Sequence, residues 1–167
     1  MTRAITLAGV LTVTAVLFGS QSISGQSGSS PGVDPRIGRW QLNVAKSKFT
    51  GTAPKAITRL YEDRGGGIVL STITTTPATG GPQVLFVLYK IDGKEYPQVP
   101  RGGETTNTIT QRLVDAHTVE GITKRDGKVV GGFTQVVSAD GKTLTYTPKD
   151  AQGQPTGVQV FDKQGTT

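Results

Sequence analysis

After residue 35 the chain consists of short stretches in which apolar and polar residues alternate, and none of them has the period of a helix. They are rich in Thr, Val, Ile, Tyr and Phe and are separated by turn residues, as is typical of β-strands. We predict strands at Gly38–Asn43, Ala56–Glu62, Ile68–Thr75, Gln83–Ile91, Lys94–Tyr96, Thr106–Val114, Thr118–Arg125, Lys128–Ser138, Thr143–Thr147 and Gly157–Lys163. In the fourth strand Val84, Phe86 and Leu88 share one face, and the opposite face is apolar too. This predicts a strand that is covered on both sides or meets a partner.

Glycine marks the connections between these strands. The tripeptide Asp-Gly-Lys occurs three times, at residues 92–94, 126–128 and 140–142, and Asp-Gly suits a tight hairpin because both residues tolerate positive φ. Short strands joined by short turns predict an all-β antiparallel meander, either a β-barrel of about 8–10 strands or a sandwich. Gly131 and Gly132 lie inside a predicted strand and favour the barrel, because interior glycines mark a bulge or bend. The alternative is that they relieve crowding beside a large side chain.

The N-terminal residues have the composition of an export signal. Arg3 precedes an apolar run from Ala4 to Phe18, after which small residues take over. The alternative is a membrane anchor, but the run is shorter than the ~20 residues that span a bilayer. We expect residues 1–24 to be a cleaved signal peptide, 25–35 a Gly/Ser/Pro-rich linker, 36–163 the β-barrel domain and 164–167 a disordered tail. The mature chain is then secreted or periplasmic, without a membrane span.

Composition excludes several classes of site. The chain has no Cys and one His, which rules out disulfides, thiolate chemistry and multi-histidine metal centres. The adjacent acids Glu62 and Asp63 lack the spacing of a calcium loop. The net charge of +6 is dispersed along the chain rather than gathered in a basic block. We therefore expect no cofactor, no metal and no nucleic acid partner, and we expect a monomer.

No set of residues forms a catalytic constellation. His117 follows a turn and Glu120 is three residues later, so on a strand their side chains face opposite sides. No nucleophile motif accompanies the single His. We therefore predict that the protein has no catalytic residues and is not an enzyme.

Both ends of the domain resemble a known family. Gly38-Arg39-Trp40-Gln41-Leu42-Asn43, with Ser47-Lys48-Phe49 after it, resembles the first strand of lipocalins and fatty-acid-binding proteins, the calycin barrels. Val158-Gln159-Val160-Phe161-Asp162-Lys163 is similar to the last strand of a fatty-acid-binding barrel. As a whole the chain resembles small secreted lipocalin-like bacterial proteins of unassigned function. The resemblance implies a structural role for Gly38 and Trp40, with the indole closing one end of the barrel.

The chain also departs from that family. Only Thr50–Lys55 separates Phe49 from the next strand, which leaves no room for the helical lid of fatty-acid-binding proteins. Gln159 and Phe161 stand where that family has an Arg-x-Tyr pair for the ligand carboxylate. The lipocalin disulfide is impossible without Cys.

A ligand cavity is the leading functional hypothesis, because barrels of about eight strands can hold one small molecule. The protein would bind a small apolar or amphipathic ligand without catalysis. The candidate ligand-binding residues are Arg59, Tyr61, Arg112, Tyr146 and Gln159. An inward Arg would indicate an anionic ligand or a carboxylate partner, because a buried charge is costly unless it is paired. The alternative is that these residues face outward as an ordinary charged barrel surface, since the sequence does not fix the strand register to one residue. The alternative is a barrel without a cavity that acts through its outer surface, as an envelope component or a protein inhibitor, with Tyr96–Arg101 as its contact loop.

Overall fold

The protein is described by a computed structural model that covers residues 34–165. Every regular element in this range is a β-strand, and all strand pairs are antiparallel. The strands are β1 (Gly38–Phe49), β2 (Ala56–Asp63), β3 (Val69–Thr76), β4 (Gln83–Tyr89), β5 (Glu95–Pro97), β6 (Val99–Pro100), β7 (Asn107–Leu113), β8 (Thr118–Arg125), β9 (Lys128–Val137), β10 (Thr143–Lys149) and β11 (Gly157–Gln164). The predicted signal peptide and most of the predicted linker lie outside the described residues.

The eleven strands form one sheet that curls into a nearly closed barrel. The sheet begins with β5 and ends with β6, and these two strands are separated in sequence by Gln98 alone. One side of the segment pairs with β7, with Tyr96 opposite Ile109, and the other side pairs with β4, with Val99 opposite Phe86. This segment therefore joins the two edges of the sheet, which confirms the barrel over the sandwich.

The predicted contact loop at Tyr96–Arg101 is mostly strand. Its backbone takes part in both ladders at the seam, and the Gln98 N–H also donates to the Asn107 carbonyl oxygen at 2.9 Å. Pro97 and Pro100 can occupy these positions because the strands are only two or three residues long and lie at the sheet edges. Because proline has no backbone N–H to donate to a ladder, these residues do not look like a strand in the sequence, and β6 is not among the predicted strands.

The connection from β1 to β2 contains no helix, as predicted from its length. Within residues 34–165 there is no helix that is long and apolar enough to cross a bilayer. β1 extends to Phe49, well past its predicted end at Asn43, and its pairing with β11 shifts register between Asn43 and Lys48. Ser47 bridges this irregularity, since its hydroxyl donates to the Asn43 carbonyl and accepts from the Val160 N–H.

Alternate residues of the strands fill the barrel. The buried apolar side chains are Trp40, Leu42, Ile57, Tyr61, Val69, Val87, Tyr89, Ile109, Val119, Phe133, Val137, Leu144 and Phe161. The wall is a single layer, so the other face of β4 remains on the surface: Phe86 is 37% exposed and Leu88 is 55% exposed. Within the described residues β4 is therefore not covered on both sides, and the alternative, that its outer face meets a partner, stays a prediction.

Glycines shape the hairpin of β8 and β9. Asp126 and Gly127 both have positive φ, 49° and 74°, as the tight-turn prediction requires. The ladder shifts register between Thr123 and Lys124, opposite Gly131, which confirms the bulge predicted there. A Cβ on Gly132 would lie 2.7 Å from the Gly121 carbonyl oxygen, so the two strands approach too closely for a side chain at this point.

Asp34 and Pro35, the last two residues of the predicted linker, belong to the described structure. Asp34 is only 5% exposed, although its sequence neighbourhood of Gly, Ser and Pro predicted a segment with almost nothing to pack. The physical reason is an ion pair with Arg36, described below, which composition does not reveal.

Candidate functional site

One end of the barrel is closed by side chains at the start of β1. Trp40 is completely buried, and its indole Nε1–H donates to the Arg36 carbonyl oxygen at 2.6 Å. The ammonium of Lys163 on β11 lies 5.0 Å from the indole ring centroid. Gly38 has a φ of +124°, and a Cβ there would lie 2.9 Å from Cε of Lys163. Trp40 therefore lies in the packed core, and Gly38 is half-buried beside Lys163.

A buried ion pair lies beside Trp40. Arg36 binds Asp34 through two contacts, Nε to Oδ1 at 2.9 Å and Nη2 to Oδ2 at 2.8 Å. The guanidinium also donates to the side-chain oxygens of Gln111 on β7, Gln135 on β9 and Tyr89 on β4. The N-terminal segment is thus held inside the barrel by residues from three strands.

Protonation in this cluster follows from burial and proximity. Burial by itself favours the neutral carboxylic acid, but the adjacent Arg36 guanidinium lowers the pKa of Asp34 below its usual value. Burial opposes the charge on Arg36, but interactions with Tyr89 and Asp34 raise its pKa. Burial also raises the pKa of Tyr89, which donates its hydroxyl proton to Asp34 Oδ2. The pair is therefore ionised and its hydrogen bonds are satisfied.

Beyond this cluster lies a cavity of about 180 Å³ inside the barrel. Its polar lining is Arg36, Arg59, Tyr61, Ser71, Gln98, Gln111, Thr123, Gln135 and Tyr146, and its apolar lining is Ile73, Leu85, Val87, Ile109 and Phe133. Gln135 connects the two regions, since its Nε2 donates to the Tyr61 hydroxyl at 2.8 Å while its Oε1 accepts from Arg36. The interior therefore combines apolar walls with polar groups, as small-molecule sites do.

Arg59 on β2 is the second guanidinium inside the barrel. It is 7% exposed, and its guanidinium carbon lies 4.2 Å from the Tyr146 ring centroid and 5.0 Å from that of Phe161. Its Nε is buried, and no group in residues 34–165 accepts a hydrogen bond from it. Burial raises the pKa of Tyr146, and the positive charge of Arg59 opposes that shift.

A second cavity, of about 480 Å³, lies next to the first. Arg59 and Tyr146 line both cavities, and the connection from β1 to β2, including Phe49 and Pro54, forms part of the outer one. Gln159 on β11 lines the outer cavity, and its Oε1 is buried without a donor among the described residues. Two unsatisfied polar atoms, one donor and one acceptor, therefore belong to side chains that line the outer cavity.

Four of the five predicted ligand-binding residues line these cavities, and Arg112 does not. Arg59, Tyr61 and Tyr146 line the inner cavity, and Gln159 lines the outer one. Arg112 points away from the interior, is exposed, and forms an ion pair with Glu120 at 2.8 Å. The placement of Arg112 in the pocket is therefore wrong, because Ile109 and Gln111 are the inward residues of β7.

Sequence analysis missed most of the buried polar network. Asp34 and Arg36 precede the first strand, where no alternation exists to orient them. Gln111, Gln135 and Ser71 do carry a signal, because each occupies an inward position of its strand where an apolar residue is expected.

The residues considered for acid–base chemistry lie elsewhere. His117 is exposed in the turn before β8, and its backbone N–H donates to the Asp115 carboxylate at 2.7 Å. Glu120 binds Arg112 and Lys149. Residues 34–165 contain no group of three or more His, Cys, Asp or Glu side chains arranged to hold a metal ion.

A groove of about 490 Å³ lies on the outer side of the barrel, lined in part by Arg112, Glu120 and Lys149. Arg112 and Lys149 are paired with Glu120, and the Asp150 carboxylate accepts from backbone N–H groups. None of the groove's lining atoms in the described range is both buried and without a hydrogen bond. The interior is therefore the better candidate site.

The described residues form a nearly closed antiparallel barrel with a mixed polar and apolar interior, and solved structures show that this fold is calycin-like. A mutant of the fluorescent protein UnaG is similar at 18% identity with a TM-score of 0.57, over 79% of this chain and 98% of that one. Wild-type UnaG is similar at 18% identity with a TM-score of 0.56, over 77% and 97% of the two chains. No protein-family model and no curated protein matches the sequence. At this identity the likeness establishes the fold.

Proposed function

We propose that the mature chain is an exported, non-catalytic barrel that binds a small amphipathic molecule in its interior. The observation that carries this proposal is the cavity of about 180 Å³, because a space several times the ~30 Å³ share of one water molecule lies against both apolar walls and a guanidinium. The adjoining outer cavity of about 480 Å³ falls within the ~300–1,000 Å³ typical of ligand pockets.

The interior also favours ligand binding over the surface-acting alternative. A barrel that acts only through its outer face has no need for polar side chains at inward positions, because apolar residues there would stabilise it more simply. Here Ser71 and Arg59 occupy such positions beside the cavity. The proposal of export is supported by the composition of residues 1–24. The proposal that the protein is not catalytic is supported by the exposed and isolated position of His117, its single histidine.

The test is binding of the neutral fluorescent dye N-phenylnaphthylamine to the mature chain, together with mass spectrometry of molecules extracted from protein purified from its own host. Ser71 is buried on the inner face of β3, and Thr72 beside it points outward. We expect saturable dye binding by the wild type, its loss in Ser71→Phe, which fills the cavity, and its retention in the control Thr72→Phe.

Circular dichroism should show that both variants keep the fold. If the wild type binds no dye and no molecule is recovered, or if Ser71→Phe binds dye as the wild type does, interior binding is contradicted.

A further inference from the structure

We propose that the outer cavity holds the head group of the ligand, and that this head group is an anion with a hydroxyl or amide N–H beside it. The inference rests on the proposed function and specifies the class of ligand. Its basis is a pair of buried atoms with opposite hydrogen-bonding character, Arg59 Nε and Gln159 Oε1, neither of which has a partner among residues 34–165.

Arg59 carries a buried charge without a counter-ion among the described residues. A guanidinium keeps its charge in proteins, and a buried charge is costly without a counter-ion. Arg36, the other guanidinium in the barrel, has Asp34 as its counter-ion at 2.8 Å. Among the described residues no carboxylate lies within ion-pair distance of Arg59. A bound anion would supply the missing counter-charge.

Two aromatic rings hold the Arg59 side chain in place. The rings of Tyr146 and Phe161 lie 4.2 and 5.0 Å from its guanidinium carbon. Cation–π contacts of this kind compensate part of the charge and use the faces of the rings. They leave the Nε donor in the guanidinium plane without an acceptor among the described residues. Arg59 is thus positioned by its neighbours while its buried Nε lacks the acceptor that an oxygen of the ligand would supply.

Gln159 supplies the acceptor in the outer cavity. It lies directly opposite Tyr146 in the pairing of β10 with β11, so its side chain is on the same face of the sheet as the ring that contacts Arg59. Gln159 and Arg59 both line the outer cavity. A simple carboxylate would satisfy Arg59 and leave the Gln159 oxygen without a donor, and an unmade buried hydrogen bond is unfavourable. A 2-hydroxy acid or an N-acyl amino acid would satisfy both atoms.

The two cavities also define the orientation of the ligand. The inner cavity has apolar walls at Ile73, Leu85, Val87 and Ile109, and it meets the outer cavity at Arg59 and Tyr146. A ligand with its anionic group at Arg59 can therefore place a short apolar tail among these side chains. The small inner volume, about 180 Å³, favours short tails over long ones.

The experiment measures displacement of N-phenylnaphthylamine by three probes: octanol, octanoic acid and 2-hydroxyoctanoic acid. For the wild type we expect the hydroxy acid to displace the dye at the lowest concentration, octanoic acid to need several-fold more and octanol at least tenfold more. With each displacement scaled to the variant's own affinity for the dye, Arg59→Met should weaken displacement by both acids at least tenfold relative to displacement by octanol. Gln159→Leu should make the two acids equal.

The matched control is Arg112→Met, which removes an exposed Arg from the outer face of a barrel strand and should behave as the wild type. If Arg59→Met does not fold, Arg59→Lys serves instead, since it retains the charge without the Nε donor; weaker displacement by both acids is again expected. Absence of dye binding by the wild type would contradict the proposed function itself. Three outcomes, each with dye binding retained, would overturn the head-group assignment alone. In the wild type, these are equal displacement by octanol and the acids, or equal displacement by the two acids. The third is acid displacement that neither Arg59 substitution changes.

Discussion

Arg36 and Arg59 show how the surroundings of a residue decide its role. Both guanidiniums are buried in the barrel. Arg36 is surrounded by acceptors, namely Asp34, Gln111, Gln135 and Tyr89, and thereby anchors the N-terminal segment. Arg59 is surrounded by aromatic rings and lacks an acceptor at Nε. The first arrangement is typical of a structural ion pair, and the second leaves hydrogen-bonding capacity for a ligand.

The ion pair leads to a prediction about stability. Arg36→Met leaves the Asp34 carboxylate buried without its counter-ion, so we expect the free energy of unfolding to fall by about 3–5 kcal/mol, as for other broken buried pairs. The double variant Asp34→Leu/Arg36→Met removes both charges and should recover part of that loss. Urea unfolding followed by far-UV circular dichroism measures both. A single variant as stable as the wild type would contradict the role of this pair.

The lowered pKa of Asp34 leads to a prediction about pH. The folded protein binds the Asp34 proton more weakly than the unfolded chain, because Arg36 stabilises the carboxylate. By linkage, the stabilisation from this group is fully present above the unfolded value of about 3.9 and is lost as the pH falls from there through the lower folded pKa.

We therefore expect the free energy of unfolding of the wild type to decline over that range more steeply than that of Asp34→Asn, which cannot titrate at this position. Urea unfolding at a series of pH values measures the two slopes. Parallel slopes would show that Asp34 titrates alike in the folded and unfolded states.

At the scale of elements, β8 and β9 show how glycine permits close strand contact. Gly121 on β8 lies opposite Phe133 on β9, and both belong to the inner face. A Cβ on Gly121 would collide with the Phe133 ring and lie 2.9 Å from the Thr110 carbonyl oxygen. The ring of Phe133 stacks at 5.4 Å on that of Tyr146, the residue that contacts Arg59. Gly121 thus gives room to an aromatic cluster that supports the candidate site.

Gly121→Ala should displace the Phe133 ring and reduce the free energy of unfolding by about 1–3 kcal/mol, as overpacking of a core does. Gly51→Ala is the control, since an added Cβ there has no atom within 4 Å. Thermal unfolding measures the difference between the two variants. In the double variant Gly121→Ala/Phe133→Leu part of the loss should be recovered, and equal stability of all three variants would contradict the steric explanation.

At the scale of the whole molecule, closure of the sheet is what creates an interior. The edges of the sheet meet only because residues 95–100 pair with β7 on one side and with β4 on the other. This near closure shortens the exposed sheet edges and surrounds most of the cavity with strands. Arg59 from β2 then meets Tyr146 and Gln159 from the β10–β11 hairpin, which is far from β2 in sequence.

The sequence by itself determined the all-β class, the absence of a helix between β1 and β2, and nearly every strand, because alternation and turn chemistry are local properties of the chain. It also identified Arg59, Tyr61, Tyr146 and Gln159 as candidates. Only the tertiary structure decided that Arg59 points inward and Arg112 outward, since a shift of one residue in register moves a side chain to the opposite face. The Asp34–Arg36 pair likewise depends on a distant partner, Gln111, and the seam at Gln98 depends on pairing across an intervening loop; no local pattern specifies either.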